Sequence, residues 1–199
     1  DIIEAGFPIA SEGDFEAVDR DACLRTILGV GADFRYEVIS KEDWYGRRLI
    51  ASKFRDRCAF IAGDAAHIWV PYAGYGMNAG IADAMNLSWL LAAHLNGWAP
   101  AAILDAYEAE RWPITSQVSR FAMSHAEAEI RRRGAVPDEI EDPGPAGERA
   151  RREVGRVAYE INVRQYACAG LNFGSYYDRS PIIAYDGATP PAYTMDSYT

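Results

Sequence analysis

The stretch "GDAAHIWVPYAGYGMNAGIADAMNLSWLL", residues 63–91, puts four glycines, one proline and one aspartate into eighteen positions and then runs into an almost uninterrupted apolar segment. Glycines at that density permit left-handed turns and close backbone approach, and a proline fixes the direction of entry. From Gly76 to Leu95 the clearly polar side chains before His94 are Asn78, Asp83, Asn86 and Ser88, which predicts a helix buried on nearly every side. Just ahead, "RCAFIAGD" is continuously apolar from Cys58 to Ala62 and stops at Gly63. That pattern predicts a strand buried on both faces, in the interior of a layered α/β domain.

The flanking segments read more conventionally. "SEGDFEAVDRDACLRTILGVG" carries Asp19 and Asp21 ahead of an apolar series and Gly29 behind it, which predicts a short capped helix. "DFRYEVISKEDWYGRRLIASKF" alternates apolar and polar residues in two runs, as half-buried antiparallel strands do. After "NGW", Pro100 opens a second, amphipathic helix with Leu104, Tyr107, Ile114, Val118, Phe121 and His125 on one face, and Pro113 should bend or interrupt it near Trp112. "GAVPDEIEDPGPAG" reads as a linker or exposed loop, Glu148 to Ala167 as a further helix, and the end of the chain as strand-like and turn-like pieces.

Composition narrows the function. Among 199 residues, 29 acidic against 20 basic side chains leave a formal charge of −9, which disfavours nucleic acid and anionic membranes as partners. Cys23, Cys58 and Cys168 are widely spaced and odd in number, so reduced thiols in a cytoplasmic protein are expected, with neither a CxxC metal pair nor a disulfide framework. No run reaches the length of a membrane-spanning helix. The spacing of histidines and acids suits no metal site, and no GxSxG elbow is present.

Chemistry concentrates where the glycines are. Asp64, at the end of the expected strand, suits the hydroxyls of a ribose or ribityl chain, because a carboxylate accepts two hydrogen bonds without being protonated; capping a following turn is the competing role. Gly74 and Gly76 let backbone approach a flat ligand, and the start of the apolar helix offers unpaired N–H groups at Gly76, Met77 and Asn78 to an anion such as a reduced flavin. His67 is a candidate base, although a histidine in a buried loop more often satisfies backbone partners. His94 and His125 read as structural, and Trp44, Trp69, Tyr72 and Tyr75 as core or pocket wall.

The run "GDAAH", then Pro71, then "GYGMNAGIADAMNLSWLL" closely resembles the second flavin-contact motif of the class A flavoprotein aromatic hydroxylases, the para-hydroxybenzoate hydroxylase and phenol hydroxylase group, and "DAYEAERWP" (residues 105–113) resembles that family's next helix. The resemblance covers about residues 45–120. It implies an α/β fold: part of a FAD/NAD(P)-binding Rossmann-like flavoprotein, with antiparallel strands from the substrate domain and helices on the carboxyl side. It implies a FAD-dependent monooxygenase that hydroxylates an aromatic substrate, expected to be phenolic, with O2 and NAD(P)H through a flavin C4a-hydroperoxide. Gly63, Asp64, Pro71, Gly74, Gly76, Met77 and Asn78 would bind the cofactor, with Asp64 on the ribityl chain and the Gly76–Asn78 amides on the pyrimidine carbonyl. Pro71 and Tyr72 would face the substrate.

The sequence departs from the family at Tyr75 and Leu90, where lysine or glutamine and lysine are common, and at neither place is a proposed backbone contact touched. The nucleotide-binding GxGxxG is absent; "GVGADF" (residues 29–34) has Phe34 at the third glycine and the wrong flanking elements. The expected organisation is therefore a piece of a longer protein: residues 1–55 from the substrate-binding sheet domain, 56–133 from the FAD-binding domain, 134–147 a linker, and 148–199 a helix and extended segment. A Rossmann segment before Asp1 would be its partner within the same protein, a further domain would follow Thr199, and a homodimer is an assembly the sequence leaves open. Two alternatives stand beside this reading: another FAD enzyme of the same fold, a halogenase or reductase, and a non-catalytic scaffold or interaction fragment.

Overall fold

The structure is a computed structural model and describes residues 2–4, 18–42 and 45–189. The chain divides into two compact units, residues 6–47 and a larger one formed by residues 1–5 with 48–199. Described elements are mostly helical, with small antiparallel sheets.

In the smaller unit the expected helix forms as α1, Arg20–Leu28. The Asp19 side chain accepts the Ala22 N–H at 3.0 Å, and Gly29 closes the helix in the left-handed region at φ 64°. Of the two alternating runs that follow, the second supplies an antiparallel strand at Leu49–Ala51, in the larger unit, and the first makes none. Described residues 34–42 carry no ladder, and Val38 and Ile39 are 59% and 94% exposed. Alternation marks which side chains could share a face, but a strand also needs a partner for its N–H and C=O groups, and none is present among the described residues.

The larger unit holds β1 (Ile2–Glu4), β2 (Leu49–Ala51), β3 (Arg55–Asp56), β4 (Ala59–Phe60) and β5 (His67–Ile68). β1, β2 and β5 form one antiparallel sheet in that order, with Ile50 opposite both Ile3 and His67, and β3 and β4 form a separate hairpin. The expected doubly buried strand from Cys58 to Ala62 is therefore corrected. Arg57, at φ 54°, and Cys58 turn the hairpin, Cys58 and Ala59 are exposed, and β4 ends at Phe60. An apolar run signals burial without saying against what. Here it feeds the edge of the core, where the Tyr107 hydroxyl donates to the Ile61 carbonyl at 2.8 Å.

The helices are α2 (Tyr75–Leu95), α3 (Asp105–Gly134), α4 (Pro145–Tyr166) and α5 (Ala169–Phe173). α2 is not buried all round. Ala79, Asp83, Asn86, Leu90 and Ala93 make the buried stripe, whereas Met77, Ile81, Met85 and Trp89 are 75%, 53%, 67% and 46% exposed. Asp83 and Asn86 lie inward beside Leu90 while four large apolar residues lie outward, so the inward stripe mixes polar and apolar side chains, unlike a free-standing amphipathic helix. α3 runs through Pro113 without interruption, with Leu104 ahead of it and Tyr107, Val118, Phe121 and His125 buried as expected.

The stretch read as a linker or exposed loop is mostly exposed and is tied down at one point. Residues Asp138–Glu141 form a 3-10 turn, and Arg151 donates to the Ile140 and Asp142 carbonyls at 2.8 and 2.9 Å. Beyond Tyr166, "LNF" falls in α5, and the described residues up to 189 carry no strand. Ile50, Phe54, Ala66, Leu90, Leu104, Ala106 and Tyr107 form the core joining the sheet, α2 and α3.

Candidate functional site

The approach to α2 is conformationally unusual. Pro71, at φ −73°, opens the short turn Tyr72–Gly74, in which Ala73 (φ 65°) and Gly74 (φ 71°) are left-handed in succession. Alanine at positive φ costs about 1–2 kcal/mol, and such strain clusters at ligand sites. Gly74 is the N-cap residue, and no side chain caps the helix, so the first amides, at Tyr75, Gly76 and Met77, lack an intrahelical partner. A Cβ added at Gly74 or Gly76 would meet nothing within 4 Å. Pro71, Gly74, Met77 and Asn78 are exposed and Gly76 half-buried; the Asn78 backbone N–H, expected to be unpaired, makes the first helical bond to the Gly74 carbonyl, which also accepts the Asn78 side-chain Nδ2 at 3.2 Å. The result is an open, electropositive helix end with room for a flat anionic group.

Asp64 comes from a different place than expected. It lies in the 3-10 turn Gly63–Ala65 between β4 and β5, not at the end of a strand buried on both faces. The side chain is exposed, makes no hydrogen bond among the described residues and caps nothing, which leaves both oxygens free to accept from a ligand. Gly63 takes φ 55°, and a Cβ on Gly80 would stand 3.3 Å from the Gly63 Cα. Two glycines thus let the turn carrying Asp64 lie directly against the backbone of α2.

A fully buried carboxylate locks that contact. Asp83 Oδ2 accepts the Gly63 N–H at 3.1 Å and faces His67 Nε2 at 2.6 Å, and its Oδ1 accepts Arg111 Nε at 2.8 Å. Burial opposes the charge, yet hydrogen bonds from His67, Arg111 and Gly63 outweigh it and hold Asp83 below the usual carboxylate range. An ionised carboxylate only accepts, so His67 Nε2 carries the proton. His67 is 3% exposed, stacks on Trp69 at 5.0 Å and belongs to this cluster; it presents no open base.

The "DAYEAERWP" run proves to be an anchoring strip. Asp105 pairs with Arg55, and Glu108 accepts the Phe54 and Arg55 amides at 2.6 and 3.1 Å. Glu110 accepts Asn86 and Ser180, both at 2.6 Å, and Trp112 Nε1 donates to the Ala51 carbonyl at 3.0 Å. Tyr107, whose hydroxyl is pushed up by burial and then by Asp83, completes it. Sequence reasoning assigned none of Asp83, Glu108, Glu110 or Arg111 a role. The usable signal was polarity out of place: Asp83 and Asn86 interrupt an apolar helix one turn apart.

Of the remaining expected residues, Trp44 lies outside the described residues, and Tyr72 and Tyr75 stand on the approach to α2. Tyr72 is half-buried against Val70, Met123 and Ala126, next to exposed Pro71. Tyr75 meets Phe121 edge-on at 5.8 Å and donates to Asn172 at 3.0 Å, fastening the start of α2 to α3 and α5. No group of histidine, cysteine and acid side chains among the described residues could hold a metal, and no described helix is long and apolar enough to cross a membrane.

The family model described as "FAD binding domain" matches residues 12–122. A rifampicin monooxygenase from Rhodococcus hoagii is 47% identical over 93 residues, 47% of this chain and 19% of the relative. A 4-methyl-5-nitrocatechol 5-monooxygenase from a Burkholderia species is 43% identical over 91 residues, 46% of this chain and 16% of the relative. Among solved structures, the rebeccamycin biosynthetic enzyme RebC with reduced flavin superposes with a TM-score of 0.70 at 34% identity, covering 90% of this chain and 34% of that one. The chain spans about a fifth of the length of the curated relatives it matches.

Proposed function

The chain belongs to the FAD-binding class A flavin monooxygenase family, and from that membership we propose that its parent protein hydroxylates an aromatic, phenolic compound using FAD, O2 and NAD(P)H. The observation that carries the reading is the uncapped start of α2, open in front of Gly74 and Gly76, with the free carboxylate of Asp64 on a turn packed against the same helix. The residues fit the cofactor: a Cβ-free cradle and unpaired amides suit an electron-rich ring edge, and an accepting carboxylate suits a polyol. When bound, FAD supplies the oxygen-activating chemistry.

The chain's own residues hold and orient. Amides at Gly76 and Met77 stabilise negative charge on the ring edge, Gly63 and Gly74 keep the backbone close, and Asp64 takes the ribityl hydroxyls. Pro71 and Tyr72 border the substrate side and help exclude water. A phenolic substrate accords with the nitrocatechol named for one relative. Residues 1–55 we assign to the substrate-binding domain, 56–133 to the FAD-binding domain, 134–147 to the connection and 148–199 to the segment beyond it, in a cytoplasmic protein. Stripping FAD from the parent protein should abolish NAD(P)H-dependent hydroxylation and re-addition should restore it; hydroxylation that persists without flavin refutes the proposal.

A second reading rests on the exposed apolar stripe Met77, Ile81, Met85 and Trp89: the 199-residue chain alone acts as a scaffold whose α2 face takes a partner segment. Titrating the isolated chain with FAD separates the two, because a yellow stoichiometric complex contradicts the scaffold reading.

A further inference from the structure

Nothing in the proposed chemistry requires Asp83, yet it is the most completely buried acid described, at 0% exposure, and holds three donors on two oxygens. Buried ion pairs are poor devices for stability alone, because apolar residues of similar volume often serve as well, and their best-supported use is to fix one geometry among several. The geometry at stake here is clear. One donor is the backbone N–H of Gly63, adjacent to Asp64, and Asp83 itself stands one turn after Gly80, the point where α2 touches that same glycine. Arg111, reaching from α3, and His67, on β5, close the knot from two other elements.

We propose that Asp83, held by His67 and Arg111, is the positioning residue that registers the Asp64 turn against the amino end of α2, so that polyol and ring edge of one flavin can be held at once. This rests on the flavin reading above. Only an ionised carboxylate fits the knot, because a neutral amide in its place offers one acceptor oxygen to three donors and turns an NH2 group toward one of them. The residue touches no ligand; its effect passes through Gly63 and Asp64.

The test uses the full-length parent protein, stripped of flavin and titrated with FAD. Variants are Asp83→Asn, His67→Ala, His67→Gln and, as a control outside the site, Glu153→Gln. Losing a charge-assisted hydrogen bond that fixes the turn weakens FAD binding about tenfold or more in Asp83→Asn and His67→Ala. His67→Gln, which keeps a donor near the Nε2 position, recovers most of that affinity, and Glu153→Gln matches the wild type. The visible circular dichroism of bound flavin changes in the first two variants, a signature that lowered stability alone does not produce. Wild-type affinity and flavin spectrum in folded Asp83→Asn and His67→Ala overturn the proposal. Should Asp83→Asn fail to fold, the contrast between His67→Ala and His67→Gln carries the test. A wild-type protein that binds no FAD overturns the flavin reading itself, and this inference with it.

Discussion

Replacing Gly80 by alanine puts a methyl group 3.3 Å from the Cα of Gly63, and two opposing effects then compete. Removing a glycine from a helix interior gains about 1 kcal/mol in propensity. Forcing a methyl against a packed neighbour costs about 1–3 kcal/mol when the neighbour cannot swing aside. The neighbour here is backbone, fixed through the Gly63 N–H to Asp83, so steric cost wins. The expected result is a net destabilisation of up to about 2 kcal/mol. Gly155, exposed in α4 with nothing within 4 Å of an added Cβ, isolates the first effect, and its alanine variant should be stabilised by about 0.5–1 kcal/mol. Urea denaturation of the two variants beside the wild type, followed by far-UV circular dichroism, reads both signs. Stabilisation of Gly80→Ala equal to that of Gly155→Ala would refute the close approach of turn and helix.

Asp64→Ala should leave stability within about 0.5 kcal/mol, because the side chain is exposed and unbonded, while weakening FAD binding in a titration of the parent protein. Glu108→Ala strands the amides of Phe54 and Arg55 and should cost about 1–3 kcal/mol in the same urea assay. Asp83 has a folded pKa below its unfolded value of 3.8, so its contribution is complete well above that value and is lost as pH falls through the depressed folded pKa. Stability measured from pH 6 down to about pH 3 should therefore drop less steeply in Asp83→Asn than in the wild type, and parallel slopes would contradict the assignment.

The local code was legible where it is self-contained. Asp19 and Gly29 bracket α1 because a cap bond and a left-handed glycine are decided within a few residues. The buried face of α3 followed from its apolar spacing, and the glycine-rich approach to α2 announced an open backbone. What failed was partnering. Alternation at residues 34–42 and the apolar run at Cys58–Ala62 specify faces, not neighbours, and the hairpin turn at Arg57 and Cys58 carries neither glycine nor proline to betray it. α2 misled for a related reason. Its mean apolarity conceals two stripes, and the inward one is held by Asp83 and Asn86, whose burial becomes intelligible only once Arg111 and Glu110 are seen across from them on α3.

A crystal structure of the full-length parent protein loaded with FAD tests the flavin site most directly. It should place the pyrimidine edge of the isoalloxazine within hydrogen-bond distance of the amides at Gly76 and Met77, and the Asp64 carboxylate on the ribityl hydroxyls. A structure in which side chains fill the space before Gly74 and Gly76, with FAD bound elsewhere, would contradict it.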